Sequence, residues 1–114
     1  MNIQERQNVA EKRFNECLKV LLAKGKDYAG KEDSLANFKR NAERLGLSKY
    51  QVWATYFNKH IDSVNNAIKY NPINPQVESE PLTERIIDII NYAVILEALL
   101  SEDKCQKKSE KKLI

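Results

Sequence analysis

Residues 84–92 read Glu-Arg-Ile-Ile-Asp-Ile-Ile-Asn-Tyr, and this stretch restricts what the chain can fold into more than any other. Isoleucines at 86, 87, 89 and 90 point in several directions around a helical axis, so a helix here cannot rest one narrow face on a core and leave the remainder in water. It has to be covered by more than one neighbour or by a second copy of the chain. Glu84, Asp88 and Asn91 fall at i, i+4 and i+7, which puts them on one stripe of that helix. Whatever covers the isoleucines also crowds two carboxylates and an amide. Such groups need a cation, a metal or hydrogen-bond donors once they leave water.

The rest of the chain supplies helical neighbours and no credible strand. Over residues 4–24, Val9, Phe14, Cys17, Leu18, Leu21 and Leu22 recur near helical spacing, and Gly25 is the expected end. A loop of residues 25–33 follows, in which Asp33 or Ser34 can cap the next helix. Leu35, Phe38, Ala42 and Leu45 form one face of that short second helix, closed by Gly46. Ser48 is a natural N-cap for a third helix over residues 49–69, whose inward set is Val52, Trp53, Tyr56, Phe57, His60, Ile61, Val64 and Ile68. Pro72 and Pro75 prevent that helix from continuing. The fourth helix is expected to start near Ser79 or Glu80, to carry Pro81 in its first turn and to end within residues 101–104. The fold class that follows is a compact all-α bundle of about four helices, with dimerisation as a route to complete the burial.

A chain of 114 residues is the size of a single domain, expected here over residues 1–102. The net charge of +3 is concentrated beyond it, since residues 103–114 hold five lysines against Asp103 and Glu110. This basic segment reads as a flexible C-terminal tail. Its mixed signs, without arginine or aromatic residues, argue against a nucleic-acid arm. No apolar run is long enough to span a membrane, and the opening Met-Asn-Ile-Gln-Glu-Arg-Gln lacks the pattern of a signal peptide. Cys17 and Cys105 have no metal-ligand spacing and fit reduced thiols, so the expected location is cytoplasmic.

Three groups of residues could carry chemistry. Glu84 and Asp88 have a spacing suited to Mg²⁺, a cation that takes one or two protein carboxylates beside phosphate oxygens and water. Asn91 could then add a neutral ligand or meet a base or sugar edge. The structural alternative has Glu84 paired with a cation of a neighbouring helix and Asp88 accepting from a Tyr or His. On the third helix, Trp53 and Tyr56 could stack on a base, or be plain core. Lys59 could meet a phosphate or Asp88, and His60 could be a base, a phosphate contact or a hydrogen-bonded core histidine. One histidine is too few for a His-rich zinc centre. Lys26, Asp27 and Tyr28, with Asp33, Asn37 and Lys39, form a third candidate cluster. Phosphate-loop, dinucleotide-fold and nucleophile-elbow motifs are absent from the sequence, and no residue is singled out as catalytic.

Taken together, Lys26-Asp27-Tyr28-Ala29, Asn37-Phe38-Lys39, Tyr56-Phe57-Asn58-Lys59, Glu78-Ser79 and Asp88-Ile-Ile-Asn91-Tyr92-Ala93 resemble the phage and prophage proteins of the nucleotide-modification-associated type. More distantly, the chain is similar to the all-α MazG-like nucleoside triphosphate pyrophosphohydrolases. The resemblance covers roughly residues 24–100. It implies a phage-encoded protein in a bacterial host's cytoplasm, with Asp27, Lys59, Asp88, Asn91 and Tyr92 facing a pocket for a nucleotide and, in the enzymatic version, Mg²⁺. MazG-like enzymes carry denser acidic sets than this chain, and the position three before Asp88 is Arg85 rather than Glu. Nucleotide binding is therefore the leading expectation and Mg²⁺-dependent pyrophosphate release the second. The competing expectation is a non-enzymatic accessory or anti-defence protein that inhibits a host protein or sequesters a signalling nucleotide.

Overall fold

The computed structural model describes residues 1–29, 33–77 and 80–113, with the side chains of 26–29 and 109–113 outside that description. Four helices, α1 (Ile3–Ala29), α2 (Ala36–Leu45), α3 (Lys49–Tyr70) and α4 (Leu82–Leu113), form an all-α bundle, with no strand among the described residues. Helix α4 is the shared element: α1 packs on it and so does α3, while α2 lies against α3 and reaches α1. Among the described residues no helix is long and apolar enough to cross a membrane.

Local chemistry sets the helix ends. Ser48 Oγ accepts from Gln51 N at 3.1 Å and Gln51 Oε1 accepts from Ser48 N at 2.8 Å, a reciprocal box that satisfies two backbone donors at the start of α3. At α2 the expected cap is corrected: the N-cap position is Leu35, without a side-chain cap, and Asp33 Oδ1 accepts only from Leu35 N at 3.0 Å, one step before the helix. Gly46 closes α2 in the left-handed region at φ 67°, which lets Leu47 N donate to Ala42 O at 3.0 Å.

Three expected boundaries are corrected. Helix α1 runs through Gly25 to Ala29, so the backbone of residues 25–29 is helical rather than a loop. A glycine inside a helix costs only about 1 kcal/mol and ends it when it takes up a left-handed turn, as Gly46 does and Gly25 does not. Helix α4 starts at Leu82, with Pro81 just outside and its carbonyl accepting from Glu84 N at 3.0 Å. At its other end α4 continues past Lys104 to Leu113.

The boundary of the basic segment is firmly held. Asp103 accepts from Lys49 Nζ at 2.5 Å and from the Tyr50 hydroxyl, while Lys39 Nζ sits 2.8 Å from both Asp33 and Glu102. These pairs fasten α4 to α2 and α3. The hydrogen bond to the Asp103 carboxylate favours the protonated phenol and pushes the Tyr50 pKa up to about 12.

The core draws on every helix, through Cys17, Phe38, Val52, Ala67, Ile87 and Leu99, with Leu35 sealing the start of α2. Trp53 stacks on Phe57 with centroids 4.7 Å apart, and Phe38 meets Tyr56 and Tyr92 edge-on at 6.4 and 6.3 Å. Of the four isoleucines, Ile87 is buried, Ile89 and Ile90 are half-buried, and Ile86 is exposed. Leu45 and Ile68, expected inward, are also exposed, because each lies near the end of its helix where no neighbour reaches it. Leu99 is fully buried. Leu99→Ala is expected to lower the unfolding free energy by about 2–5 kcal/mol, read as a shift in the urea midpoint with unchanged slope.

Candidate functional site

The polar stripe of α4 divides according to which helix each side chain meets. Asn91 is buried against α1, where its Nδ2 donates to Cys17 O at 3.0 Å. That carbonyl lies in the interior of α1, so the amide joins two helices in the core. Asp88 is packed between three helices with its side chain 12% exposed. Lys24 Nζ of α1 is 3.1 Å from Oδ1, while His60 Nδ1 of α3 and Arg85 Nη1 of α4 are 3.6 and 3.8 Å from Oδ2. Glu84 is exposed and shares a hydrogen bond with Glu80, whose like charge also helps to raise the Glu84 pKa above its ordinary value.

Arg85 is the hub of this cluster. Its Nη2 pairs with Glu80 at 2.8 Å and its Nη1 lies 3.3 Å from His60 Nδ1, which leaves Nε buried without a hydrogen-bond partner among the described residues. A neutral imidazole that presents a bare Nδ1 to the guanidinium fits this contact; an imidazolium would set two cations face to face. Burial pushes the His60 pKa down, and Arg85, Lys24 and Lys59 act in the same direction against the opposing pull of Asp88. The ring also rests beside Tyr92, with centroids 5.1 Å apart.

Next to Arg85, the outer face of α3 forms an open polar trough of about 490 Å³. Thr55, Lys59, Asp62, Ser63 and Asn66 recur along it at helical spacing, with Asn58 beside them. Lys59 is exposed and forms no ion pair among the described residues. Hydroxyls, amides and two cations thus border one concavity, which can donate hydrogen bonds to an anion while Asp62 supplies an acceptor.

Among the described residues, the expected site side chains do not gather in one cleft. Lys59 lines the trough, and His60 and Asp88 stand beside its Arg85 wall. Trp53 donates Nε1–H to Tyr92 O at 2.7 Å and stacks on Phe57, so one ring face and the indole proton take part in packing. Tyr56 faces Phe38, and its hydroxyl is 3.4 Å from Asn41 Nδ2. Lys39 is held by Asp33 and Glu102, roughly 20 Å along α4 from Asp88 at 1.5 Å per residue, and Asn37 shares α2 with it. The side chains of Asp27 and Tyr28 lie outside the described residues. Among those described, no group of three or more His, Cys, Asp or Glu side chains gathers as a metal site. Sequence reasoning missed Lys24, Arg85 as a structural hub, and the polar face of α3; the last was readable in the spacing of 55, 59, 62, 63 and 66.

No family model, curated protein or solved structure matches the chain.

The His60 environment makes stability pH-dependent with a defined sign. The folded pKa lies below the ordinary 6.5, so the unfolded chain takes up the proton first, and stability falls as pH drops below 6.5 through the folded pKa. His60→Gln is expected to flatten this part of the curve. Urea titrations of both proteins between pH 7.5 and 5, in buffers chosen around the reference pKa of about 6.5, compare the slopes. Parallel slopes would assign the acid sensitivity elsewhere.

Proposed function

We propose that this chain is a small helical binding protein that takes up a phosphate-bearing ligand of the nucleotide class in the trough between α3 and α4. The observation that carries the reading is the placement of Lys59, exposed and without an ion pair among the described residues, in the same concavity as Arg85 and a row of hydroxyl and amide donors. Lys59 supplies the mobile cation. Thr55, Asn58, Ser63 and Asn66 offer neutral hydrogen bonds to phosphate or sugar oxygens. Arg85, held by Glu80 and facing His60, adds positive potential from a fixed position.

The reading is one of binding before hydrolysis. Asp88, which a Mg²⁺-dependent pyrophosphohydrolase would use as a metal ligand, already has Lys24 and Arg85 against its two oxygens. A divalent ion would have to displace them. Glu84 stands in solvent beside Glu80, where added positive charge is welcome, yet it brings one carboxylate to a role that usually takes more than one ligand.

Titration calorimetry against inorganic phosphate, deoxynucleoside mono- and triphosphates and cyclic dinucleotides tests the proposal. Wild type is expected to bind at least one nucleotide, and Lys59→Ala to weaken it by about 10- to 100-fold, the cost of one charge-assisted contact. Equal affinity in Lys59→Ala, or no heat with any of these ligands, would remove the trough as the site. Pyrophosphate release from the triphosphates with Mg²⁺, lost in Asp88→Asn, would instead favour the enzymatic version.

A further inference from the structure

The far end of α4 is a helix without a neighbour. Lys104, Cys105, Gln106, Lys107 and Lys108 are all exposed, and consecutive positions of this number look in every direction around a helical axis, so nothing among the described residues covers this part. The backbone nevertheless stays helical to Leu113. An uncovered helix gains nothing from tertiary packing, the source of most helical stability in proteins. What such a segment has to offer is its surface.

In sequence the lysines of this segment are mixed with Asp103 and Glu110; in the helix they are separated from both. Lys104, Lys107, Lys108, Lys111 and Lys112 follow one another at i, i+3, i+4, i+7 and i+8, which at 3.6 residues per turn places them all within a sector of roughly 140°. Gln106, Ser109 and Glu110 fall on the opposite side by the same register. Asp103 is turned into the bundle, where it accepts from Lys49 and the Tyr50 hydroxyl. Lys104, Lys107 and Lys108 form no ion pair among the described residues. The helix dipole favours cations in the last turn, which accounts for Lys111 and Lys112. Lys104, Lys107 and Lys108 stand further back than that turn.

The charge of the face selects its partner. Five lysines over about 12 Å of helix axis approach the density of a nucleic-acid duplex, which carries about one negative charge per 1.7 Å. A single strand is gripped by stacking aromatic side chains, and residues 103–114 contain none. A helix that lies on a membrane has an apolar face, which Gln106, Ser109 and Glu110 do not make. Lysine contacts to phosphate position a duplex without reading its bases. We infer that the lysine face of α4 binds the phosphate backbone of a double-stranded nucleic acid without regard to sequence. The face lies about 28 Å along α4 from Arg85, so it is separate from the ligand trough and does not rest on it.

Fluorescence anisotropy of a short labelled DNA duplex of mixed sequence, titrated with the full chain, tests the inference. A fourfold rise in potassium chloride is expected to weaken binding by about 40- to 500-fold, the loss that goes with three to five neutralised phosphates. Rearranging the same charges is the sharper test. Gln106→Lys and Ser109→Lys combined with Lys107→Gln and Lys108→Ser keep the net charge of +3 and leave the trough untouched, but break the face. This variant is expected to bind the duplex about tenfold more weakly or worse with its far-ultraviolet dichroism unchanged, while Lys107→Arg with Lys108→Arg keeps the wild-type affinity. The salt dependence of the wild type needs no variant to fold. No binding at low salt, a salt dependence weaker than that of three phosphates, or equal affinity in the rearranged chain overturns the inference. Tighter binding to vesicles containing phosphatidylserine than to the duplex overturns it as well, by giving the face to a membrane.

Discussion

A carboxylate enclosed by three helices dictates much of how this bundle is put together. Asp88 has lost most of its water, and an ionised group in that position is tolerated when cations and hydrogen-bond donors replace the solvent. Lys24 from α1 and Arg85 from the preceding turn of α4 supply the charge, and the neutral His60 ring of α3 packs against the same carboxylate, its Nδ1 3.6 Å from Oδ2. Each of these helices is thereby fixed in register against the others at one level. Three residues further on, Asn91 reaches across to the Cys17 carbonyl and fixes α1 a second time. Apolar packing alone would tolerate sliding of one ridge over another; a buried amide with one acceptor within reach does not.

The opposite end of the bundle is closed by a different set of charges. Lys39 bridges Asp33 and Glu102, and Asp103 gathers Lys49 and Tyr50. The carboxylates here are more exposed than Asp88, so their ion pairs are correspondingly weaker as sources of stability, since water and salt screen them. Their effect is to anchor α4 just before its lysine-rich turns. Between the two polar ends lies the aromatic layer of Phe38, Trp53, Phe57 and Tyr92, in which the indole proton is satisfied by a backbone carbonyl.

The same economy explains why the candidate site sits on the outside of α3. The carboxylate and amide that looked most like ligand groups are consumed by contacts that hold the helices together, and so is the guanidinium of Arg85. What remains free to meet a ligand is the side of α3 that turns away from the core, where Lys59 stands among small polar residues. Arg85 connects the two regions, because the side chain that holds His60 and Glu80 in place also forms a wall of the trough.

The sequence by itself determined the four helices, the Ser48 and Gly46 punctuation and the requirement that α4 be covered from more than one side. Each follows from local rules: apolar spacing, capping chemistry and the conformational freedom of glycine. It also offered Asp88 as the acceptor of a Tyr or His hydrogen bond; the structure gives that hydrogen bond to Lys24 instead and leaves His60 Nδ1 3.6 Å away. Tertiary structure alone decided which of the polar residues met. Lys39 and Lys59 are equivalent in composition, yet one is tied to α4 near Glu102 and the other is left open to solvent, because their helices reach α4 at levels far apart along its axis. Gly25 and Gly46 are likewise the same residue with opposite outcomes. At Gly25 the chain continues as helix along α4, and at Gly46 it must turn to bring α3 back over α2, a distinction that belongs to the packing of whole helices and not to any residue within them.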